Sequence, residues 1–217
     1  MGWGKALGVA ACVFTGSAAL ADEAVIAALG DSLTQGYGLA QEDGLVPQLE
    51  RWLRARGHAV RLINAGVSGD TTAGGLARVG WTLGDDVDAM IVALGGNDLL
   101  RGIAPEVSRA NLDGILRAAE AADVAVLLVG MRAFNNYGPA YQAAFDAIYP
   151  DLAAEYGTLY FSDFLGPVTG PDAAGQDRFL PRFFQPDGVH PNAEGVARIV
   201  AAIGPMVETL LGRVAPH

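Results

Sequence analysis

Short apolar runs alternate with longer amphipathic stretches along most of the chain, and no other feature restricts its fold as tightly. Val25 to Leu29, Val60 to Ile63, Ala89 to Leu94 and Val124 to Val129 have strand length, and Thr158 to Phe161 makes a weaker fifth run. The runs at Ala89 and Val124 are apolar at every position and contain β-branched residues, as suits central strands covered on both faces. Between the runs, Leu45, Leu49, Trp52 and Leu53 fall at helical spacing, which predicts a helix from Leu45 to Arg56 with its C-cap at Gly57. Further helices are expected over Glu106 to Ala122, Ala140 to Tyr156 and about Ala193 to Leu211, the last capped by Asn192. Such an alternation builds βαβ units, and their right-handed crossovers place helices on both faces of a parallel sheet. The expected fold is therefore α/β, a three-layer α/β/α sandwich. Ser162 to Gly188 is the one long irregular stretch, of a length usually either functional or disordered.

Composition narrows the function classes. The chain has 217 residues, of which 51% are hydrophobic, enough for one sizeable core rather than two. A formal net charge of -10 repels phosphate backbones and anionic lipid headgroups, which argues against nucleic-acid binding. At the start, Lys5 precedes the apolar run Ala6 to Phe14, and Ala19-Leu20-Ala21 ends the segment with small residues. This is the pattern of a secretory signal peptide spanning residues 1–21, cleaved before Asp22, and it predicts an exported domain over 22–217. A buried N-terminal helix and a lipoprotein cleavage box at Val9-Ala10-Ala11-Cys12 are the competing readings. Cys12 is the only cysteine. Its removal with the signal would leave a mature chain without a disulfide framework, a Cys-ligated zinc site or a cysteine nucleophile.

In open α/β sheets ligands bind beyond the carboxyl ends of the strands, so chemistry-bearing residues should collect just after the strand runs. Gly30-Asp31-Ser32-Leu33-Thr34 follows the first, Asn64 to Thr71 the second, and Gly95-Gly96-Asn97-Asp98 the third. Asp187-Gly188-Val189-His190-Pro191-Asn192 precedes the last helix. A serine in a tight strand-to-helix turn is an ordinary cap until a base is found for its proton. Of the three histidines, His58 lies between a helix end and a strand and His217 is terminal, whereas His190 has Asp187 three positions earlier. A carboxylate folded back in that Gly- and Pro-containing turn would fix the ring tautomer and stabilise an imidazolium. Ser32, His190 and Asp187 are thus the candidate nucleophile, base and orienting acid. The anion formed on attack needs donors in place, and a glycine N–H at Gly69 and an uncharged amide at Asn97 suit that task.

These four segments, in this order, resemble the blocks of the GDSL/SGNH hydrolase family. Ser68-Gly69-Asp70-Thr71, Gly75-Leu76-Ala77-Arg78, Asn136-Tyr137-Gly138 and Ala147-Ile148-Tyr149-Pro150 look more narrowly like its bacterial thioesterase I, lysophospholipase L1 or arylesterase branch. The resemblance implies a flavodoxin-like five-stranded sheet in the order 2-1-3-4-5 and a serine acyl-enzyme mechanism, with no metal or organic cofactor. It implies an oxyanion hole made by the backbone N–H groups of Ser32 and Gly69 with the Asn97 side chain. The partner would be a small ester, acyl thioester or lysophospholipid, with no stable membrane insertion of the mature chain; the sequence is silent on oligomeric state. Arg132-Ala133-Phe134 departs from the branch, where an apolar residue and a proline are expected after the arginine, so acyl-chain preference stays open.

Two rivals remain at this level: an esterase acting on acetylated sugars, and, from another class, a periplasmic ligand-binding protein. Leu99-Leu100-Arg101-Gly102 is a candidate wall of the acyl pocket or simple helix-entry packing. Phe179, Phe183 and Phe184 either line a lid or anchor the long loop. Asp85, Asp86 and Asp88 lack a calcium-loop spacing and read as a solvated loop.

Overall fold

Where three strands end decides where the chemistry can lie. The structure is a computed structural model that describes residues 1, 23–133, 136–171 and 177–214. In chain order its main elements are β1 (Ala24–Gly30), α1 (Ser32–Gln35), α2 (Leu45–Arg54), β2 (Val60–Gly66), α3 (Thr72–Thr82), β3 (Ala89–Ala93) and α4 (Gly96–Arg101). Then follow α5 (Pro105–Ala121), β4 (Ala125–Val129), α6 (Pro139–Tyr156), β5 (Leu159–Phe161), β6 (Thr169–Pro171), β7 (Asp177–Phe179) and α7 (Ala193–Leu211). The first five strands form one parallel sheet in the order β2-β1-β3-β4-β5. Gly30 pairs with both Gly66 and Ala93, so β1, β2 and β3 stop at one level and their following loops share one edge.

Helices α2 and α7 pack on one face of the sheet, and α3, α5 and α6 on the other. The strands between them are buried on both sides: Ile26, Ala27 and Leu29 in β1 and Ala89, Met90 and Val92 in β3 have no exposed surface. Burying a single Leu or Ile side chain this way contributes roughly 1.5–3 kcal/mol, so the apolar runs that predict the strands are also what holds the sheet. On α6, Phe145 and Tyr149 are buried, and the Tyr149 hydroxyl donates to Leu94 O at 2.8 Å, which gives its one polar atom a partner at the end of β3.

The elements match the sequence expectations to within a few residues, with informative exceptions. Strand β2 runs three residues further, to Gly66, taking in Asn64 and Ala65 that the sequence reading left in the loop. Helix α3 escapes a periodicity reading because Gly74, Gly75 and Gly80 interrupt its apolar face and lower its intrinsic helicity. It is nevertheless capped, the Thr71 side chain accepting from Gly74 N. Asn192 does the same for α7, accepting from Gly195 N at 3.0 Å. The stretch after Ser162 holds the antiparallel pair β6–β7, whose three-residue strands are too short to show a period. Phe183 and Phe184 are buried in the core, and Phe179 stacks on Phe184 with centroids 4.6 Å apart, so these aromatics anchor the loop. Asp86 pairs with Arg61, and Asp88 accepts from Val25 N, which ties the start of β1 to the turn before β3. Apart from Met1, the segment read as a signal peptide lies outside the described residues, as do His217 and Phe134.

Candidate active site

Ser32 is the first residue of α1, reached from the end of β1 by a single residue, Asp31. The Asp31 carboxylate accepts the Leu33 N–H at 2.9 Å and so caps that short helix, leaving the Ser32 hydroxyl at the sheet edge. From the far end of the chain, the turn before α7 brings His190 to it: Nε2 lies 2.9 Å from Ser32 Oγ. On the other side of the ring, Nδ1 lies 2.7 Å from Asp187 Oδ2. The turn itself is built by the second carboxylate oxygen, since Asp187 Oδ1 accepts from Val189 N at 2.9 Å and His190 N at 3.0 Å. Those two backbone donors, with the His190 ring, hold the Asp187 carboxyl down to about 2, so it is an anion wherever the imidazole needs one.

The turn is held against the nucleophile by contacts that residue types do not announce. Gln185 N donates to His190 O at 2.8 Å, and Gln185 Nε2 reaches Tyr37 O and Pro191 O, bridging the segment after α1 to the histidine turn. The Tyr37 ring sits 4.7 Å from the His190 ring. Only an aromatic flanked by glycines, Gly36-Tyr37-Gly38, hinted at this in the sequence.

Gly69 follows β2 in a turn closed by Asp70 N to Val67 O, with φ at +83, a backbone conformation that a side chain would strain. Arg101 on α4 donates to Gly69 O at 2.7 Å and Asp70 pairs with Arg78, so the turn is tied to two helices. Arg78 also donates to Ala65 O and Gly30 O, clamping the ends of β1 and β2 together two residues before Ser32. Asn97 is the second residue of α4, and its Nδ2 donates to Asp31 Oδ2 at 3.4 Å. The next residue, Asp98, is wholly buried and accepts from Thr72 N, Thr72 Oγ1 and Ser108 Oγ, joining the Asn97 helix to the start of α3.

Ser32, Asp187 and His190 therefore form one hydrogen-bonded chain, and Gly69 lies in the turn after β2 and Asn97 in the first turn of α4 after β3, the strands on either side of β1. Such a set can take a proton from a hydroxyl, deliver it to a leaving group, and offer N–H donors to an oxyanion. Large apolar side chains stand exposed around it: Tyr37 and Val189 beside His190, Val67 before Gly69, and Leu100 after Asn97. Tyr137, also exposed, donates to Leu100 O. A cleft of about 780 Å³ between α1, α2 and β2, lined by Gln35, Leu39, Pro47, Arg51 and Asn64 among others, contains none of the five candidate residues. Ser32, Asn97 and His190 are half-buried, and Gly69 and Asp187 are exposed. Among the described residues no three His, Cys, Asp or Glu side chains gather as metal ligands would, and no helix is long and apolar enough to cross a membrane.

Comparison with known proteins gives consistent matches. The profile of the GDSL-like Lipase/Acylhydrolase family matches residues 28–198. Esterase TesA of Pseudomonas aeruginosa is 37% identical over 184 residues, covering 84% of this chain and 87% of that protein. Thioesterase 1/protease 1/lysophospholipase L1 of Escherichia coli K12 is 36% identical, covering 84% and 81%. Among solved structures, that of AlinE4, an SGNH-hydrolase family esterase, is 44% identical, covers 88% of this chain and 97% of its own, and superposes with a TM-score of 0.70.

Proposed function

The chain belongs to the GDSL-like lipase/acylhydrolase family and is a serine hydrolase, and from that premise we propose an esterase in which Ser32 is the nucleophile. The reading rests above all on the relay from Ser32 Oγ to His190 Nε2 at 2.9 Å and from His190 Nδ1 to Asp187 at 2.7 Å. His190 takes the Ser32 proton as Oγ attacks the carbonyl carbon, and Asp187 stabilises the imidazolium. Negative charge gathers on the former carbonyl oxygen, where the backbone N–H groups of Ser32 and Gly69 and the Asn97 amide receive it. Collapse expels the alcohol or thiol, which takes the proton from His190. Water, deprotonated by the same imidazole, then releases the acid and frees Ser32.

The substrates are small aryl or acyl esters, acyl thioesters or lysophospholipids. Tyr37, Val67, Leu100, Tyr137 and Val189 support this choice, because exposed apolar side chains around the site reward an acyl or aryl group and give little to a sugar. A fluorophosphonate probe is expected to label the wild type once, on Ser32, and to leave Ser32→Ala unlabelled. With ester substrates of increasing chain length, kcat/KM should rise from acetyl to medium-chain esters, roughly tenfold per one or two buried methylenes. A maximum on acetylated sugars would replace this reading with that of a carbohydrate acetyl esterase.

Residues 1–21 are proposed to be a secretory signal, which would place the domain beginning at residue 22 in the periplasm or outside the cell. Terminal sequencing of the exported protein should begin at Asp22. A start at a lipid-modified Cys12 would make the protein a membrane-anchored lipoprotein instead.

A further inference from the structure

Asp31 is an aspartate with 1% of its surface exposed, and among the described residues it has no lysine or arginine partner. Both of its carboxylate oxygens are spent on the site: Oδ1 accepts from Leu33 N at 2.9 Å and Oδ2 from Asn97 Nδ2 at 3.4 Å. The first turn of α4, which carries Asn97, packs closely on it, since a Cβ at Gly96 would lie 3.2 Å from Oδ2, tighter than ordinary contact. An asparagine amide has two ends of nearly equal size, so packing alone discriminates poorly between its oxygen and its nitrogen. A carboxylate can only accept. Beside Asp31, the amide has to present its NH₂, and of the two hydrogens one is held by the carboxylate while the other is left for an oxyanion.

We propose that Asp31 is a positioning residue for the reaction, a buried carboxylate that keeps the Asn97 amide in its donating orientation. The proposal rests on the reading of Asn97 as an oxyanion donor. The arrangement is held at a cost to the fold. Burial outweighs the Leu33 N–H, His190 and Asn97, which favour the anion, and leaves the Asp31 carboxyl raised to about 6. A carboxyl raised in the folded state favours folding when protonated, so this contribution is full below the unfolded value of 3.8 and is lost as pH rises through about 6. A neutral isostere escapes that loss. In Asp31→Asn the new amide still accepts from Leu33 N, but its NH₂ faces the NH₂ of Asn97, which turns over and offers its oxygen to the reacting carbonyl.

The test is a double-mutant cycle on a p-nitrophenyl ester with wild type, Asp31→Asn, Asn97→Ala and the pair, each with its thermal midpoint at about pH 8. Asn97→Ala is expected to lower kcat by roughly 10²- to 10³-fold. Asp31→Asn should lower kcat by about 10- to 100-fold with KM nearly unchanged, and should add less than about threefold in the Asn97→Ala background. Its midpoint at pH 8 should equal or exceed that of the wild type, an outcome that a purely structural aspartate would not produce. Full kcat in Asp31→Asn, or a loss that persists undiminished without the Asn97 amide, overturns the proposal. Full kcat in Asn97→Ala overturns it differently, by removing the oxyanion role on which it rests; loss of Ser32 labelling in the wild type would instead strike the nucleophile. Should Asp31→Asn fold poorly, Asp31→Ser keeps an acceptor for Leu33 N, lacks the reach to Asn97, and is expected to trace the same cycle.

Discussion

Replacing His190 with alanine is expected to lower kcat for ester hydrolysis by roughly 10⁵- to 10⁶-fold, the scale on which serine hydrolases respond to loss of the base. Among the described residues the Ser32 hydroxyl has its one strong proton acceptor in His190 Nε2, 2.9 Å away, and without it attack leaves the proton on the nucleophile. The turn should survive, because His190 contributes its backbone to it: His190 N donates to Asp187, and His190 O accepts from Gln185 N. KM and the thermal midpoint are therefore expected to stay near wild type. Because nucleophile and base act as a unit, adding Ser32→Ala to His190→Ala should cost almost nothing further. Steady-state hydrolysis of a p-nitrophenyl ester measures all three variants, and a loss of less than tenfold in His190→Ala would take the histidine out of the reaction.

Asp187→Asn should cost about 10⁴-fold in kcat, for a reason that keeps the structure intact. An asparagine oxygen still accepts from Val189 N and His190 N, so the turn closes as before. The other end of the amide, however, donates toward Nδ1. The imidazole then carries its proton on Nε2, the atom that must receive the one from Ser32, and is locked in the unproductive tautomer. The pH dependence separates this from a general weakening. Asp187 is held at about 2, so it remains ionised far below neutrality, and any acid loss of wild-type activity above about pH 4 belongs to another group. A depressed carboxyl stabilises the fold above its unfolded value of 3.8 and loses that contribution as pH falls through about 2. The midpoint of Asp187→Asn should therefore lie below wild type at neutral pH and converge with it in strong acid. A variant that keeps more than a tenth of wild-type kcat would show that Asp187 only shapes the turn.

Much of the layout was legible in the chain because the forces behind it are local or periodic. The apolar runs at Ala89 and Val124 read as strands buried on both faces, and they lie inside the sheet beside the strand that the run at Val25 forms. Asn192 read as a cap from its residue type and position, and it caps α7. Helix α3 was missed because its glycines interrupt the pattern, and its stability comes from packing against α5 and from the Thr71 cap. The supporting groups of the site were missed for a different reason. Tyr37, Gln185, Arg78 and Arg101 reach partners at distances along the chain that no motif encodes.

The sequence by itself determined which residue types follow each strand, and so which chemistry the sheet edge can carry; strand termini and turns are short-range matters of apolar period, glycine and capping. Only the tertiary structure decided that Gly30, Gly66 and Ala93 end in register, that an imidazole 158 positions after the serine lies within a hydrogen bond of it, and that Asp31 is buried against the Asn97 amide. Those relations come from closing long loops onto a shared core, and the free energy that closes them is burial summed over the whole sheet, which no local stretch of residues records.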